Sequence, residues 1–123
     1  YLGTVQGDGL LVATPTGSTG YSLSCGGPVL APWISAFLLT PICPHTLNFR
    51  PVVLDADMDL EVRIRPKNPM TLIADGQVGI ELTHMERVRL RRAERRVSLV
   101  RIVPPDFFSV LRDKLLWGAK GYR

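Results

Sequence analysis

Ten prolines and 11 glycines are spread through 123 residues, and they limit this chain to short elements. A proline has no backbone N–H to give to a helix or a ladder, and a glycine weakens either interior. They cluster at Gly7-Asp8-Gly9, Gly26-Gly27-Pro28, Pro41 to Pro44, Pro66 to Pro69 and Pro104-Pro105. Between the clusters lie runs of four to nine apolar or alternating residues. The expectation is a mainly β fold: sandwich-like antiparallel sheets, one short helix after the first strand, and a C-terminal amphipathic helix.

The runs can be read in order. Residues 1–9 read as the end of a strand and a turn. Leu10-Leu11-Val12-Ala13 is a buried strand, and Tyr21-Ser22-Leu23-Ser24 a short helix. Ile34 to Thr40 is a second buried strand, ending at Pro41. Thr46 to Leu54 is a third, with a bulge or edge position at Pro51. Leu60 to Arg65 alternates strictly, as a half-exposed antiparallel strand must. Met70 to Ala74 and Val78 to Leu82 flank the turn Asp75-Gly76-Gln77. Val88 to Arg92 is expected to pair with Val97 to Val103. Asp106 reads as the N-cap of a helix with Phe107, Phe108, Leu111, Leu115 and Leu116 on one stripe.

Composition narrows the function. Hydrophobic content of 46% and 21% charged residues describe a soluble globular chain large enough for a core. No apolar run reaches the ~18 residues of a membrane span. The chain opens on Tyr1 without a signal peptide or a Met, so it reads as part of a longer protein. Cys25 and Cys43 fit no zinc spacing and read as free thiols in a reducing cytoplasm. Six arginines between residues 87 and 96 are the strongest nucleic-acid signal. They alternate with Val88 and Leu90 and lack interleaved aromatics, which favours a solvated strand face.

The conspicuous polar stretch is Thr14-Pro15-Thr16-Gly17-Ser18-Thr19-Gly20-Tyr21-Ser22. A buried strand, a turn rich in Gly, Ser and Thr, and a short helix can aim hydroxyls and backbone N–H groups at a polar ligand. A capped turn explains the same residues. The stretch is no P-loop, for it lacks the Gly-Lys-Ser/Thr ending, and no Gly-x-Ser-x-Gly elbow supports a hydrolase. His45 is open to two readings, a loop spacer or a ligand contact. Asp8, the hydroxyl stretch and Asp75-Gly76-Gln77 would form a hydroxyl-lined pocket if their turns converge.

These words resemble the C-terminal half of bacterial NAD kinases. The match runs from Asp8-Gly9-Leu10 through Thr14 to Ser24 and Gly26-Gly27-Pro28. It continues in Leu39-Thr40-Pro41-Ile42-Cys43-Pro44-His45-Thr46-Leu47, Arg50-Pro51, Asp75-Gly76-Gln77 and Leu115-Leu116-Trp117. The resemblance implies a single NAD-binding domain over 1–123. The α/β domain with the general-base Asp would lie outside this chain, so no catalytic residue is expected within it. In the family, ATP or polyphosphate phosphorylates the 2′-hydroxyl of the NAD adenosine ribose. A related lipid kinase, or a β-domain binding anions or RNA through Arg87 to Arg96, is the alternative.

The resemblance also implies roles. Asp8 would meet the nicotinamide side, with Thr16 and Ser24 at the carboxamide. Thr19, Gly20 and Tyr21 would line the adenine side, Tyr21 on the ring, and Ser22 is among the NAD-binding residues with no side assigned. Asp75, Gly76 and Gln77 would lie near the ribose and phosphates. Cys43 would line the pocket through its backbone, in its own or a neighbouring subunit. Gly20 departs from the family, where Ala is common, and would cost up to ~1 kcal/mol if helical. The remaining expectations are Mg with ATP in the whole enzyme, no metal held by this domain alone, a cytoplasmic homodimer or homotetramer, and neither nucleic acid nor membrane as partner.

Overall fold

The computed structural model describes residues 1–65, 69–83, 86–95, 97–100, 102 and 106–117. The chain divides into two compact units, Tyr1–Ala93 and Glu94–Arg123.

The first unit is antiparallel throughout its described ladders. Its strands are β1 (Gly9–Ala13), β2 (Ala36–Ile42), β3 (Val52–Asp55), β4 (Leu60–Arg63), β5 (Met70–Ala74), β6 (Val78–Leu82) and β7 (Arg87–Leu90). A 3-10 turn at Thr16–Thr19 and a one-turn helix, α1 (Tyr21–Ser24), follow β1. β2 is the middle strand of a β1-β2-β3 sheet, and β4 pairs with β7 while β5 pairs with β6. The β5–β6 hairpin is thus nested in sequence inside the β4–β7 ladder.

The core centres on β2. Ala36, Leu38 and Thr40 are buried at alternate positions, the period-2 signature of one face of a strand. Leu38 and Thr40 are both at 0% exposure, so a hydroxyl sits as deep as the best-packed leucine.

The structure moves several expected boundaries. Residues 1–6 carry no strand. Pro41 does not end β2; it lies inside it, opposite Leu10. β3 runs beside β2 only from Ala36 to Leu39, so Pro41 falls where one edge of β2 is open, the setting in which a strand tolerates proline. The third strand begins after Pro51 instead of running from Thr46. The Arg50 guanidinium donates to the carbonyls of Leu47 and Phe49 and holds those residues as a loop.

The partner of the arginine-rich strand also differs. β7 pairs with β4, not with residues 97–103. Among those residues 97–100 and 102 carry no strand, and 101 and 103 lie outside the described set. The register explains the choice. Val62 faces Val88 and Leu60 faces Leu90, while Glu61 stands opposite Arg89. Opposite charges across a ladder favour pairing, and residues 97–103 contain no carboxylate. Glu61 receives Arg63 Nε at 2.7 Å, Arg89 Nε at 3.5 Å and Arg87 Nη1 at 4.0 Å. The hydrogen bond from Arg63 holds its carboxyl below the ordinary range against an opposing desolvation, and the charges of all three arginines assist.

In the second unit α2 spans Phe107–Leu115. The Asp106 side chain accepts from the Phe108 and Ser109 amides at 3.3 and 3.1 Å, as an N-cap should. Leu111 is buried and Phe107, Val110 and Leu115 are half-buried. Phe108 and Leu116 are exposed, so the inward stripe is narrower than the pattern suggested. Leu116 has left the helix, with φ of 54° at its C-cap. No described helix is long and apolar enough to cross a membrane.

Candidate functional site

The site is built where β1 ends. Thr14 leaves the strand, and its Oγ1 accepts the Gly17 amide at 3.2 Å. The Ser18 amide returns to the Pro15 carbonyl at 3.1 Å, and the Gly20 amide to Gly17 at 3.0 Å. These bonds form the 3-10 turn. Gly20 then serves as N-cap of α1 with φ −89° and ψ −136°. It is therefore outside the helix interior, where the glycine penalty would apply.

α1 ends in a Schellman motif. The Gly27 amide reaches the Ser22 carbonyl at 2.8 Å, and the Gly26 amide reaches Leu23 at 3.0 Å. The two glycines serve different ends. Gly26 has φ of 81°, the left-handed cap conformation that favours glycine. Gly27 is required by space. A Cβ there would lie 2.8 Å from the Ser22 carbonyl oxygen, 3.0 Å from Thr40 Oγ1, and well inside contact distance of Ser22 Oγ.

The hydroxyls of this stretch sort into two sets. Ser18 and Ser22, four residues apart, are buried. Ser18 Oγ donates to the Pro15 carbonyl at 2.6 Å and accepts the Leu30 amide at 2.9 Å. Ser22 Oγ shares a hydrogen bond of 2.7 Å with Thr40 Oγ1 in the middle of β2. Thr16, Thr19, Tyr21 and Ser24 are exposed. Ser22 ties the corner to the sheet and Ser18 ties it to the loop at Leu30, while the outer four face solvent. Ser22, expected among the ligand contacts, has its hydroxyl engaged inside the protein.

A second corner lies at the opposite end of β1. The Asp8 amide donates to the Ile42 carbonyl at 2.9 Å, and the His45 amide to the Gln6 carbonyl at 2.8 Å. His45 thus has its backbone role in closing this loop. Gly7 lies so close that a Cβ would stand 2.7 Å from the Ile42 carbonyl oxygen. Cys43 is bent to φ of 44°, a strained angle for a residue with a side chain. The Asp8 carboxylate, by hydrogen bonding and by its charge, pushes the Cys43 thiol above its ordinary value, and Cys25 adds to the effect.

The hydroxyl stretch leaves β1 at its Ala13 end and the Asp8 corner enters it at Gly9, so both border one sheet. Between them Ser22 reaches Thr40, which pairs with Leu11 midway along β1.

Asp75-Gly76-Gln77 belongs to another ladder. Asp75 and Gly76 have φ of 49° and 71°, and the Gln77 amide closes on the Ala74 carbonyl at 3.0 Å. Two successive positive φ values are those of a tight hairpin turn. All three residues are exposed. No hydrogen bond or ion pair among the described residues joins them to the first two corners. Nor do any three described His, Cys, Asp or Glu side chains stand together as metal ligands.

A sequence model described as the ATP-NAD kinase C-terminal domain matches residues 1–102, a span that includes all three corners. The chain belongs to this family. It is 50% identical over 121 residues to an NAD kinase of Geobacter metallireducens and 47% identical over 121 residues to one of Geotalea daltonii. Each alignment takes in 98% of this chain and 43% of the relative. The chain thus spans less than half the length of the curated relatives it matches. Among solved structures it is similar to yeast NADH kinase complexed with NADH, with a TM-score of 0.69 and 28% identity, over 99% of this chain and 36% of the other. It is also similar to an NAD kinase from Archaeoglobus fulgidus in complex with ATP, with a TM-score of 0.64 and 33% identity, over 73% and 34%.

Within this family member, sequence reasoning passed over Ser18 and Thr40 as parts of the site's frame. Thr40 did carry a signal. It is a hydroxyl closing the apolar run Ala36-Phe37-Leu38-Leu39, and a polar group in a buried strand requires a partner. Ser18 carried none, since five neighbouring hydroxyls have the same side-chain chemistry.

Three arginines of the cluster face carboxylates. Arg87 and Arg89 share Glu61. Arg92 Nη2 holds Asp57 at 2.7 Å, and its Nη1 donates to Ser35 Oγ at 2.9 Å. Arg91 and Arg95 are exposed, and Arg96 lies outside the described residues.

Proposed function

We propose that this chain supplies the dinucleotide-binding part of an NAD kinase, which transfers a phosphoryl group from ATP to the 2′-hydroxyl of the NAD adenosine ribose. The observation that carries the reading is the sorted hydroxyl stretch within the family match. Ser18 and Ser22 hold the corner, and Thr16, Thr19, Tyr21 and Ser24 are left exposed. NAD offers amide and adenine edges, ribose hydroxyls and a pyrophosphate, so hydroxyls and backbone N–H groups suit it.

Asp8 serves the nicotinamide side, and Thr16 and Ser24 bind the carboxamide. Thr19, Gly20 and Tyr21 form the adenine side, with the exposed Tyr21 ring stacking on the base. Asp75, Gly76 and Gln77 act near the ribose and phosphates once the whole enzyme is assembled. Cys43 contributes its backbone.

In phosphoryl transfer the protein's work is positioning and charge neutralisation. This chain does the positioning. The group that takes the 2′-hydroxyl proton belongs to an α/β domain elsewhere in the whole protein. A divalent cation such as Mg would enter with ATP and neutralise phosphate charge. The whole enzyme is a cytoplasmic homodimer or homotetramer in this reading.

The test is NADP formation from NAD and ATP, followed with the full-length protein that carries this chain and with the chain alone. The full-length protein is expected to turn over and the isolated chain to show no activity. Turnover by the isolated chain, or none by the full-length protein, refutes the reading.

A further inference from the structure

We propose that Thr40 is a positioning residue for the dinucleotide, acting through Ser22. The inference rests on the NAD-binding reading and extends it to a residue in the sheet that touches no ligand.

Four residues are too few to hold a helix by themselves, because nucleation is unfavourable and one turn gains almost nothing in return. α1 therefore takes its place from its surroundings. Ser22 is its single buried residue, and that side chain is hydrogen-bonded to Thr40, itself at 0% exposure on the middle strand. Tyr21 and Ser24 lie on either side of Ser22 and face out. The hydroxyl pair is thus the pin about which the two outward side chains are set. Gly27 lies against the pair, so close that a Cβ there would press on Ser22 Oγ and Thr40 Oγ1. Valine has the shape of threonine without the hydroxyl. Thr40→Val would leave Ser22 Oγ buried without its partner, and α1 would turn or lift to find another.

The experiment uses the full-length protein carrying this chain and measures steady-state kinetics with NAD and with ATP. Thr40→Val is expected to raise the KM for NAD about tenfold, the equivalent of one buried hydrogen-bonding group. The kcat and the KM for ATP should change less than about twofold. Thr40→Ser keeps the hydroxyl and should stay within about threefold of the parent. Ser22→Ala removes the other half of the pair and carries the same expectation as Thr40→Val, deciding the matter if that variant does not fold. The double variant should lose less than the product of the two single losses, since both act through one bond.

A Thr40→Val protein that melts lower but keeps its KM for NAD overturns the proposal, for the pair would then be core alone. Equal rises in both KM values also overturn it. Failure of the parent protein to phosphorylate NAD refutes the functional reading itself, and is seen without any variant.

Discussion

Gly27→Ala tests how tightly the α1 corner is closed. The added methyl would press on Ser22 Oγ, on the Ser22 carbonyl oxygen at 2.8 Å and on Thr40 Oγ1 at 3.0 Å. Two of these are backbone or buried strand atoms that cannot swing away. Overpacking of this kind costs about 1–3 kcal/mol. Breaking the Ser22–Thr40 bond and leaving both hydroxyls buried adds about 1–3 kcal/mol. Stiffening of the unfolded chain returns about 0.4–1 kcal/mol. The net loss is about 1–5.5 kcal/mol, against a total stability of about 5–15 kcal/mol. For a domain of this size that lowers the melting temperature by roughly 3–25 °C.

Gly26→Ala is the control one residue away. Nothing lies within 4 Å of its added Cβ, and the cost comes from φ of 81° alone, about 1–2 kcal/mol. Gly26→Asn should be milder still, since Asn tolerates that conformation. Thermal unfolding of the three variants by circular dichroism checks the order. A Gly27→Ala protein melting within about 2 °C of the parent, or above Gly26→Ala, would refute the packing argument.

Three further outcomes are expected. Asp8→Asn removes the charge that raises the Cys43 thiol and leaves a neutral, weaker amide oxygen as its acceptor. Cys43 should then react several-fold faster with iodoacetamide at pH 8, read by peptide mass spectrometry. Glu61 has its carboxyl lowered in the folded state, so the stability it contributes is complete above the ordinary carboxylate range and is lost as pH falls through the lower folded value. Melting temperature plotted below about pH 4.5 should therefore fall less steeply for Glu61→Gln than for the parent. Asp106→Ala removes the cap of α2 at a cost of about 1 kcal/mol, and the Phe108 and Ser109 amides should exchange about fivefold faster by NMR.

The elements most legible in the sequence were those specified by their own residues. The Asp75-Gly76 turn needs two positive φ values, and few dipeptides supply them. The strict alternation of Leu60 to Arg63 declares a strand with one wet face. Asp106 announces a cap because an acidic side chain precedes an apolar run. Partners chosen at a distance were harder to read. Whether Pro41 ends a strand depends on where β3 stops, and β3 is set by Pro51 and the loop that Arg50 holds. β7 prefers β4 because of Glu61, which lies more than 20 residues away. The direction of each hydroxyl between Thr14 and Ser24 was not legible either. One turn of helix has no periodicity to reveal which side chains face the sheet. It is Thr40, from another strand, that settles the direction of Ser22.

The nesting of β5–β6 inside β4–β7 has a consequence for how the chain assembles. Bringing β4 to β7 means closing the loop over residues 64–86, an entropic cost that grows with the length of free chain. A tight turn at Asp75-Gly76 lets β5 and β6 zip locally first, which shortens that loop before its ends must meet. The inner hairpin is thus a splint for the outer ladder. Loosening its turn should slow the pairing of Glu61 with its arginines, although no bond among the described residues joins the turn to them, and stopped-flow refolding of Gly76→Val would register the delay.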